Sequence, residues 1–483
     1  MKKNNYLLYD VNETPPKGKM IILAIQHVLA MFGATILVPM LVNKLAGTEV
    51  LTIPVALFTS GIGTLIYLLC TKGKSPVYLG SSFAFIAPVA AAYLKGGISG
   101  AMTGIMAVGL IYCIIALIIK FAGKEWLEKL LPQVVIGPMI MIIGLGLAPS
   151  AISQIGLDSS TAFDPKVLIV ALVSFLVTAV VMTRAKGFFK IIPFLVGIIT
   201  GYVVAVCLGM IDFKPVAEAS WFSIPKFKIL FKDYNINFVS LITIAPVALV
   251  TLCEHIGDHT SLSNIIGKDL IKDPGLDRTL LGDGLATFVA GFLGGPANTT
   301  YGENTSVVGM TKVASVKVIG LAAIFAIIIG FLGKFTALVS TIPNAVLGGV
   351  SLLLYGFIAV NGLKVLIKNQ VNFEESKNVI VASSMLVLGL GGAVIAINSG
   401  DLSLSISGMS LASVVGILLN IFLKGEEKEE KVARIIREDV GQVKQDMRKL
   451  KQDIKNELTV ELKEDILNAI KEEMNKPTKK NKK

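Results

Sequence analysis

Two stretches of sequence set the architecture of this chain, GGPANTTYGENTSVVG at residues 294–309 and GKSPVYLGSSFAFIAP at residues 73–88. Each interrupts apolar sequence with glycine and small polar residues, and corresponding residues lie about 219 positions apart. Backbone that leaves a helix at membrane depth is tolerated only where it lines a cavity or is buried in protein. We therefore predict two short, broken membrane segments with extended stretches, which face each other across a binding site.

The composition places most of the chain in a membrane. Of its 483 residues, 53% are hydrophobic and 16% are charged, whereas soluble domains average about 45–50% and about 25%. The excess falls in blocks such as 21–42, 51–70, 167–182 and 379–397, each near the roughly 20 residues that span a bilayer. About fourteen such blocks occur up to Leu423, which predicts an all-α polytopic membrane protein.

An internal repeat relates the two halves of the chain. Residues 121–137 (FAGKEWLEKLLPQVVIG) and 331–348 (FLGKFTALVSTIPNAVLG) share Phe-x-Gly-Lys, then a proline followed by an amide side chain, then Val and Gly. The offset of about 210 residues would contain about seven spans, and an odd number inverts the second copy in the membrane. Such 7+7 inverted repeats are typical of secondary transporters, which expose a midplane site alternately to each side.

The formal charge of +11 is spread over loops and the C-terminal tail. Lys and Arg are concentrated in alternate connections between spans, so the positive-inside rule predicts a multi-pass protein with both termini in the cytoplasm. This distribution argues against a nucleic-acid partner. The first apolar block does not resemble a signal peptide, so the mature chain is expected to start near Met1. Four cysteines lie in apolar blocks without disulfide or metal-site spacing.

An acid pair follows the apolar block 241–252. Glu254 and Asp258 are four residues apart, so on a helix they share one face with Cβ atoms about 5–6 Å apart. A carboxylate in hydrocarbon costs from about 2.5 to more than 10 kcal/mol, so acids retained there usually serve a pathway or a site. Two neighbouring acids disfavour double ionisation, and the pair is expected to hold a proton. The alternative places both acids beyond the span, in cytoplasmic solvent.

The second broken segment carries a further acid, Glu303, beside Tyr301. Its functional interpretation is a ligand carboxylate, and the alternative is a loop residue at the end of a short span. Tyr301 and Tyr355 could supply aromatic faces or hydroxyls, or could simply pack. His27 interrupts the first span and is either functional or a structural histidine.

Three polar residues near the acid pair rank lower. His255 and His259 are expected at the pore rim or in a loop, and Asp283 near the cytoplasmic surface. Two histidines beside two acids could bind a metal, but their spacing matches no strong ligand motif, so no metal is predicted.

Several motifs in order resemble the nucleobase:cation symporters of the nucleobase–ascorbate transporter family, closest to its bacterial uracil-carrying branch. The resemblance extends from about Pro15 to Phe422. The matching stretches are QHVLAMFGATILVP (26–39), YLGSSFAFIAPV (78–89), EHIGD (254–258), GKDLIKDPGL (267–276), NTTYGEN (298–304) and GGVSLLLYG (348–356).

The resemblance implies fourteen spans in two inverted halves, divided into a core domain (spans one to four and eight to eleven) and a gate domain. It also implies a homodimer. The predicted divisions are a cytoplasmic N-terminus at 1–19, core parts at 20–129 and 237–340, gate parts at 130–236 and 341–423, and a charged helical tail at 424–483.

The resemblance also implies a substrate site for uracil. Glu254 and Glu303 would hydrogen-bond the uracil ring, and the backbone amides of Phe83 and Gly302 would meet its carbonyls. The pocket would be lined by Ala34, Ser82, Tyr301 and Tyr355. Proton coupling would involve Glu254, Asp258 and His27, with H⁺ as the coupling ion and no cofactor.

Two departures from the family pattern leave the substrate open. Uracil carriers commonly place a histidine where this chain has Asp258, and that acid resembles the purine-carrying branch. Glu303 stands where purine members usually carry Gln, which favours a pyrimidine. The alternatives are a purine symporter and an anion transporter of related architecture, which would be expected to lack the two acids. No nucleophile and base combination indicates an enzyme.

From residue 424 the composition becomes highly charged with a helical rhythm. Apolar residues step by four and three over roughly three heptads, at Ile436, Val440, Val443, Met447, Leu450 and Ile454. The pattern fits a solvated amphipathic helix, or a coiled coil that joins subunits or an unknown partner. Its lysines could also rest on anionic lipid.

Overall fold

The computed structural model describes residues 7–159, 162–187, 189, 192–237, 244–399, 402–424 and 428–475. The start of the predicted apolar block 241–252 therefore lies outside the described residues. The chain forms two compact units, Met1–Leu423 and Lys424–Lys483. We call the first the membrane unit and the second the tail.

The membrane unit is helical, with two short two-stranded ladders. Its first half contains α1 (Lys17–Ala46), α2 (Ile53–Cys70), α3 (Ile86–Ala122), α4 (Glu125–Leu130), α5 (Gln133–Gly146), α6 (Ala148–Gln154), α7 (Pro165–Arg184), α8 (Pro193–Cys207) and α9 (Lys214–Glu218). Its second half contains α10 (Val247–Ile266), α11 (Leu276–Phe292), α12 (Gly302–Thr311), α13 (Val316–Gly330), α14 (Gly333–Ser340), α15 (Asn344–Lys368), α16 (Ser376–Leu390) and α17 (Gly408–Phe422). The strands are β1 (Leu79–Ser81), β2 (Asn298–Thr300), β3 (Val394–Ser399) and β4 (Leu402–Ser407), and the tail forms α18 (Lys428–Met474).

Six helices among the described residues are long and apolar enough to cross a bilayer, and four more apolar helices are shorter. The long ones include α1, α2 and α7, which coincide with the predicted blocks 21–42, 51–70 and 167–182. The prediction of an all-α polytopic membrane protein is confirmed.

Proline and glycine lie at several helix boundaries. Helix α1 begins after Pro16 and ends at Gly47, whose φ of 69° is left-handed and lets its N–H reach the Asn43 and Lys44 carbonyls. Helix α10 likewise ends at Gly267 with φ 69°. Because glycine adopts this conformation without a Cβ clash, both helices stop where the next connection begins.

The helices of the membrane unit pack in two groups. In one, α11 packs against α3 and α2, and α13 packs against α2 and α1. In the other, α15 packs against α5 and α7, and α16 packs against α17 and α5. Helices α10 and α12 contact each other, and α10 also contacts both α3 and α5. The pair α10 and α12 therefore lies where the two groups meet.

One predicted span is wrong. The block 379–397 was expected to form a continuous helix, but α16 ends at Leu390 and is followed by Gly391 and Gly392, the latter with φ 73°. Residues of β3 then pair with β4 in an antiparallel ladder, with Val394 opposite Ser407. Two consecutive glycines end the helix although the following residues are apolar, because glycine carries the highest helix cost after proline.

Candidate binding site

The two broken segments pair with each other. Strands β1 and β2 form an antiparallel ladder in which Leu79 lies opposite Thr300, Gly80 opposite Thr299 and Ser81 opposite Asn298. All residues of the ladder are buried. The extended stretches expected from the sequence are therefore present, and they satisfy their backbone groups in the protein interior through each other.

Each strand leads directly into the start of a helix. After β1 the chain passes Ser82 into a 3₁₀ turn at Phe83–Phe85 and then α3, and after β2 it passes Tyr301 into α12. Neither Ser82 nor Tyr301 caps its helix with a side-chain hydrogen bond. Because the first N–H groups of a helix have no partner within it, two sets of donors point toward the ladder.

Helix α10 places its acid pair against β2. Thr300 Oγ1 donates to Asp258 Oδ2 at 2.5 Å, and Thr299 Oγ1 lies 3.4 Å from Glu254 Oε2. A Cβ built on Gly302 would lie 3.8 Å from Asp258 Oδ1. Both acids lie within α10 and are half-buried, and not in solvent beyond the end of a helix, as the alternative had it. They face the strand that precedes α12.

Tyr301 fixes the second broken segment to the first and to α1. Its hydroxyl donates to the Ser81 carbonyl at 3.0 Å and lies 3.1 Å from Thr35 Oγ1. Ala34, the residue before Thr35, is 4% exposed. A side chain at Gly80 would overlap the Tyr301 ring, which explains the glycine in β1. Tyr301 therefore ties three elements together beside the helix starts.

Phe83 and Tyr355 meet on the opposite side of the first helix start. Their ring centroids are 6.0 Å apart with planes at 76°, the edge-to-face geometry that aromatic pairs prefer. Tyr355 lies on α15, so the second helix group reaches the first broken segment here. Ser82, which joins β1 to the 3₁₀ turn, is fully buried. Glu303 is half-buried in the first turn of α12.

His27 contacts the second broken segment through Asn304. The Asn304 amide nitrogen lies 3.1 Å from His27 Nδ1 and donates to the His27 carbonyl at 3.1 Å. The imidazole is buried, and its partner Asn304 directly follows Glu303 in the sequence. The hydrogen bonds of His27 join α1 to α12. Its role in proton coupling stays a prediction.

Two histidines and an acid lie where the sequence analysis did not expect them. His255 and His259 are fully buried within α10, not in a loop, and Asp283 is 1% exposed. His255 Nδ1 and Asp283 Oδ2 are hydrogen-bonded at 2.8 Å. The expected rim and surface positions are wrong because Thr279 and Asp283 of α11 and Tyr67 of α2 hydrogen-bond to the two histidines in the protein interior.

A hydrogen-bonded network extends from these histidines to α2. The Nδ1–H group of His259 donates to the His255 carbonyl at 2.8 Å, and the Tyr67 hydroxyl lies 2.6 Å from His259 Nε2. Ser75 Oγ lies 2.8 Å from the same hydroxyl. The two imidazoles stack with centroids 4.1 Å apart. Most of these polar atoms are paired, as buried polar groups require, but among the described residues Asp283 Oδ1 has no hydrogen-bond partner.

Sequence reasoning missed the threonines that hold the acids. Thr299 and Thr300 were visible only as small polar residues in the broken segment. Their signal was a run of hydrogen-bonding side chains immediately before Tyr301. That signal gives no partner, because the partners lie more than 40 residues away in α10.

Comparison with known proteins assigns the family. The model of the Permease family, Xan_ur_permease, matches residues 18–397. A uracil permease of Bacillus caldolyticus is 48% identical over 87% of this chain and 96% of its own length. Uracil permeases of Bacillus subtilis (strain 168) and Escherichia coli (strain K12) are 46% and 42% identical, over 87% and 86% of this chain and 96% and 93% of their own. These relatives are permeases, which confirms the prediction that the chain is not an enzyme.

Solved structures support the fold. The transmembrane domain of a cyanobacterium bicarbonate transporter, BicA, matches with a TM-score of 0.56 and 14% identity, covering 85% of this chain and 99% of that domain. The structure of SLC26A9 matches with a TM-score of 0.57 and 12% identity over 84% of this chain and 66% of that one. At this identity the likeness concerns the fold alone. The family match and the permease relatives together show that this chain belongs to the nucleobase–ascorbate transporter family of permeases.

Proposed function

We propose that this permease imports uracil across the cell membrane by proton symport with alternating access. The observation that carries the proposal is the acid pair of α10, which is hydrogen-bonded to β2 directly before the uncapped start of α12. Relatives between 42% and 48% identical are uracil permeases. A small, flat, polar ring fits such a site.

Uracil would match the donors and acceptors around the ladder. The ring N–H groups of uracil would donate to Glu254 and Glu303, while its carbonyls would accept from the backbone N–H groups of Phe83 and Gly302. Unpaired polar groups in a buried site are costly, so each of these pairings contributes to selectivity. Ala34, Ser82, Tyr301 and Tyr355 would line the pocket.

The proton would be carried by Glu254, supported by Asp258 and His27. Within the described residues, the hydrogen bonds to the two acids come from neutral threonine hydroxyls, and no Lys or Arg forms an ion pair with them. A shared proton relieves the repulsion between acids that lack a positive partner. Protonation would admit uracil, and proton loss to the cytoplasm would release it.

The predicted fourteen spans in two inverted halves have structural support. Helix α3 bends at Gly96 and Gly97 and so supplies two segments. Pro132 and Pro343, from the repeated sequence, both precede a long helix with extended backbone, at ψ 165° and 150°. The central ladder pair, Gly80 and Thr299, has the offset of 219 residues that the repeat predicts.

The two helix groups correspond to the predicted core and gate parts, and their relative motion would provide alternating access. The loop distribution of Lys and Arg supports cytoplasmic termini. The domain bounds and the homodimer stay predictions.

A purine nucleobase is the second candidate, because Asp258 occupies the position where uracil carriers commonly have a histidine and is itself bound to Thr300. An anion substrate is disfavoured by a site that carries three carboxylates. Uptake of labelled uracil into membrane vesicles, with unlabelled uracil or xanthine as competitor, separates the first two. Stronger competition by xanthine would contradict the pyrimidine assignment.

Proton coupling is tested in the same vesicles. We expect an inward proton gradient to drive uracil accumulation at zero sodium gradient. Uptake that follows a sodium gradient and ignores a pH gradient would contradict the coupling proposal.

A further inference from the structure

The tail helix α18 carries an exposed apolar stripe. It is continuous over Lys428–Met474, and five apolar residues along one part of it are each about half exposed or more. They are Val440, Val443, Met447, Leu450 and Ile454, with exposures from 48% to 64%. Alternating steps of three and four place them at the a and d positions of a heptad.

The residues that flank the stripe are positively charged at the e positions and negatively charged at the g positions. Lys444 and Lys451 occupy e positions, and Asp446 and Asp453 occupy g positions. In a parallel pair of helices, each g residue faces the following e residue of the second helix, so Asp446 meets Lys451 of the second copy. In an antiparallel pair g meets g and e meets e, which would oppose like charges. The pattern therefore selects the parallel arrangement.

Three of the five stripe residues have the pattern of two-stranded coiled coils. Val440 and Ile454 are β-branched residues at a and Leu450 is at d, the combination typical of parallel dimers, whereas Met447 at a and Val443 at d are not part of that pattern. The sequence has Glu457 at the next d position, so the pairing surface ends after Ile454.

The tail is separate from what the family shares. The family model ends at residue 397, and the Bacillus caldolyticus relative is matched over 96% of its length by 87% of this chain. We propose that α18 binds α18 of a second copy of this chain as a parallel, in-register, two-stranded coiled coil over 440–454. Two chains anchored in one membrane have a high effective concentration, which allows so short a coiled coil to form.

Disulfide cross-linking of the full-length chain in native membranes tests the pairing. Leu450→Cys, at d, is expected to give an oxidised dimer, because a parallel in-register pair brings position 450 against its own copy. Gln452→Cys, on the outer face, is the matched control, and the unsubstituted chain controls for its four cysteines. Equal cross-linking of Leu450→Cys and Gln452→Cys would overturn the proposal.

A charge swap tests the orientation, using Leu450→Cys as the reporter. Asp446→Lys or Lys451→Glu alone converts two symmetry-related ion pairs into repulsions and should reduce the cross-linked dimer roughly tenfold. The double variant Asp446→Lys, Lys451→Glu restores both pairs with reversed signs and should recover it. If the double variant did not recover the cross-linked dimer, the parallel pairing would be overturned. If Asp446→Lys lost the dimer and bound anionic vesicles more strongly, and the double variant did not recover the dimer, the tail would be a lipid contact and the proposal would be wrong.

Discussion

Two faces of α10, about a quarter turn apart, are built from the same spacing but have different surroundings. One carries Glu254 and Asp258, which are half-buried and held by threonine hydroxyls of β2. The other carries His255 and His259, which are fully buried, with His255 bound to Asp283. The first face contacts β2, next to the uncapped start of α12. The second face contacts α2 and α11, away from the broken segments. The acids on the first face can therefore give up their threonine hydrogen bonds and bind a ligand. The histidines on the second face hold α10 against the neighbouring helices.

The largest expected effect is on the histidine face. Asp283→Ala would leave the buried His255 Nδ1 without its hydrogen-bond partner, at a cost of about 3 kcal/mol. We expect a clearly lower thermal unfolding temperature for the purified protein in detergent. Glu254→Gln, on the other face, is the control and should unfold near the wild-type temperature. Equal stability of the Asp283→Ala protein and the wild type would contradict the assigned role.

The next effect is on binding. Glu254→Ala removes the group that would accept from a uracil ring N–H, whichever protonation state the acid has. A polar group left unpaired in a buried site costs about 1–3 kcal/mol, so the affinity for uracil should fall roughly ten- to a hundredfold. Equilibrium binding of labelled uracil measures this. An affinity within twofold of wild type would remove Glu254 from the site.

Tyr67→Phe, on the histidine face, should lower stability without changing the affinity for uracil. It removes the hydroxyl that lies 2.6 Å from His259 Nε2, and the unpaired buried nitrogen costs about 1–3 kcal/mol. The unfolding temperature should fall, while the affinity for uracil stays at the wild-type value. A loss of affinity at unchanged stability would mean that the two faces are not separate in function.

The smallest effect distinguishes two neighbours in β2. Thr300→Val removes the 2.5 Å hydrogen bond to Asp258, and Thr299→Val removes a 3.4 Å contact to Glu254. Because a hydrogen bond weakens with distance, we expect uracil affinity to fall several-fold for Thr300→Val and less for Thr299→Val. The reverse order in a binding titration would show that Glu254 is the acid positioned by β2.

The sequence predicted what depends on local spacing. The four-residue interval gave Glu254 and Asp258 a common face, and the two small-residue interruptions indicated extended segments that meet. It failed where the answer depends on distant packing. His255 and His259 have the same interval as the acids, yet only α11 and α2 decide that they are buried. The span at 379–397 failed because two glycines outweighed the hydropathy of the residues after them.

The central claim is that the start of α12 holds the nucleobase, with Glu303 as a ligand. Equilibrium binding of labelled uracil to the wild type and to Glu303→Ala, with thermal unfolding as a check on the fold, tests it most directly. We expect the folded variant to bind roughly a hundredfold more weakly, since the loss of a charged partner leaves a ring N–H group unpaired. Unchanged affinity in the folded Glu303→Ala protein would contradict the site.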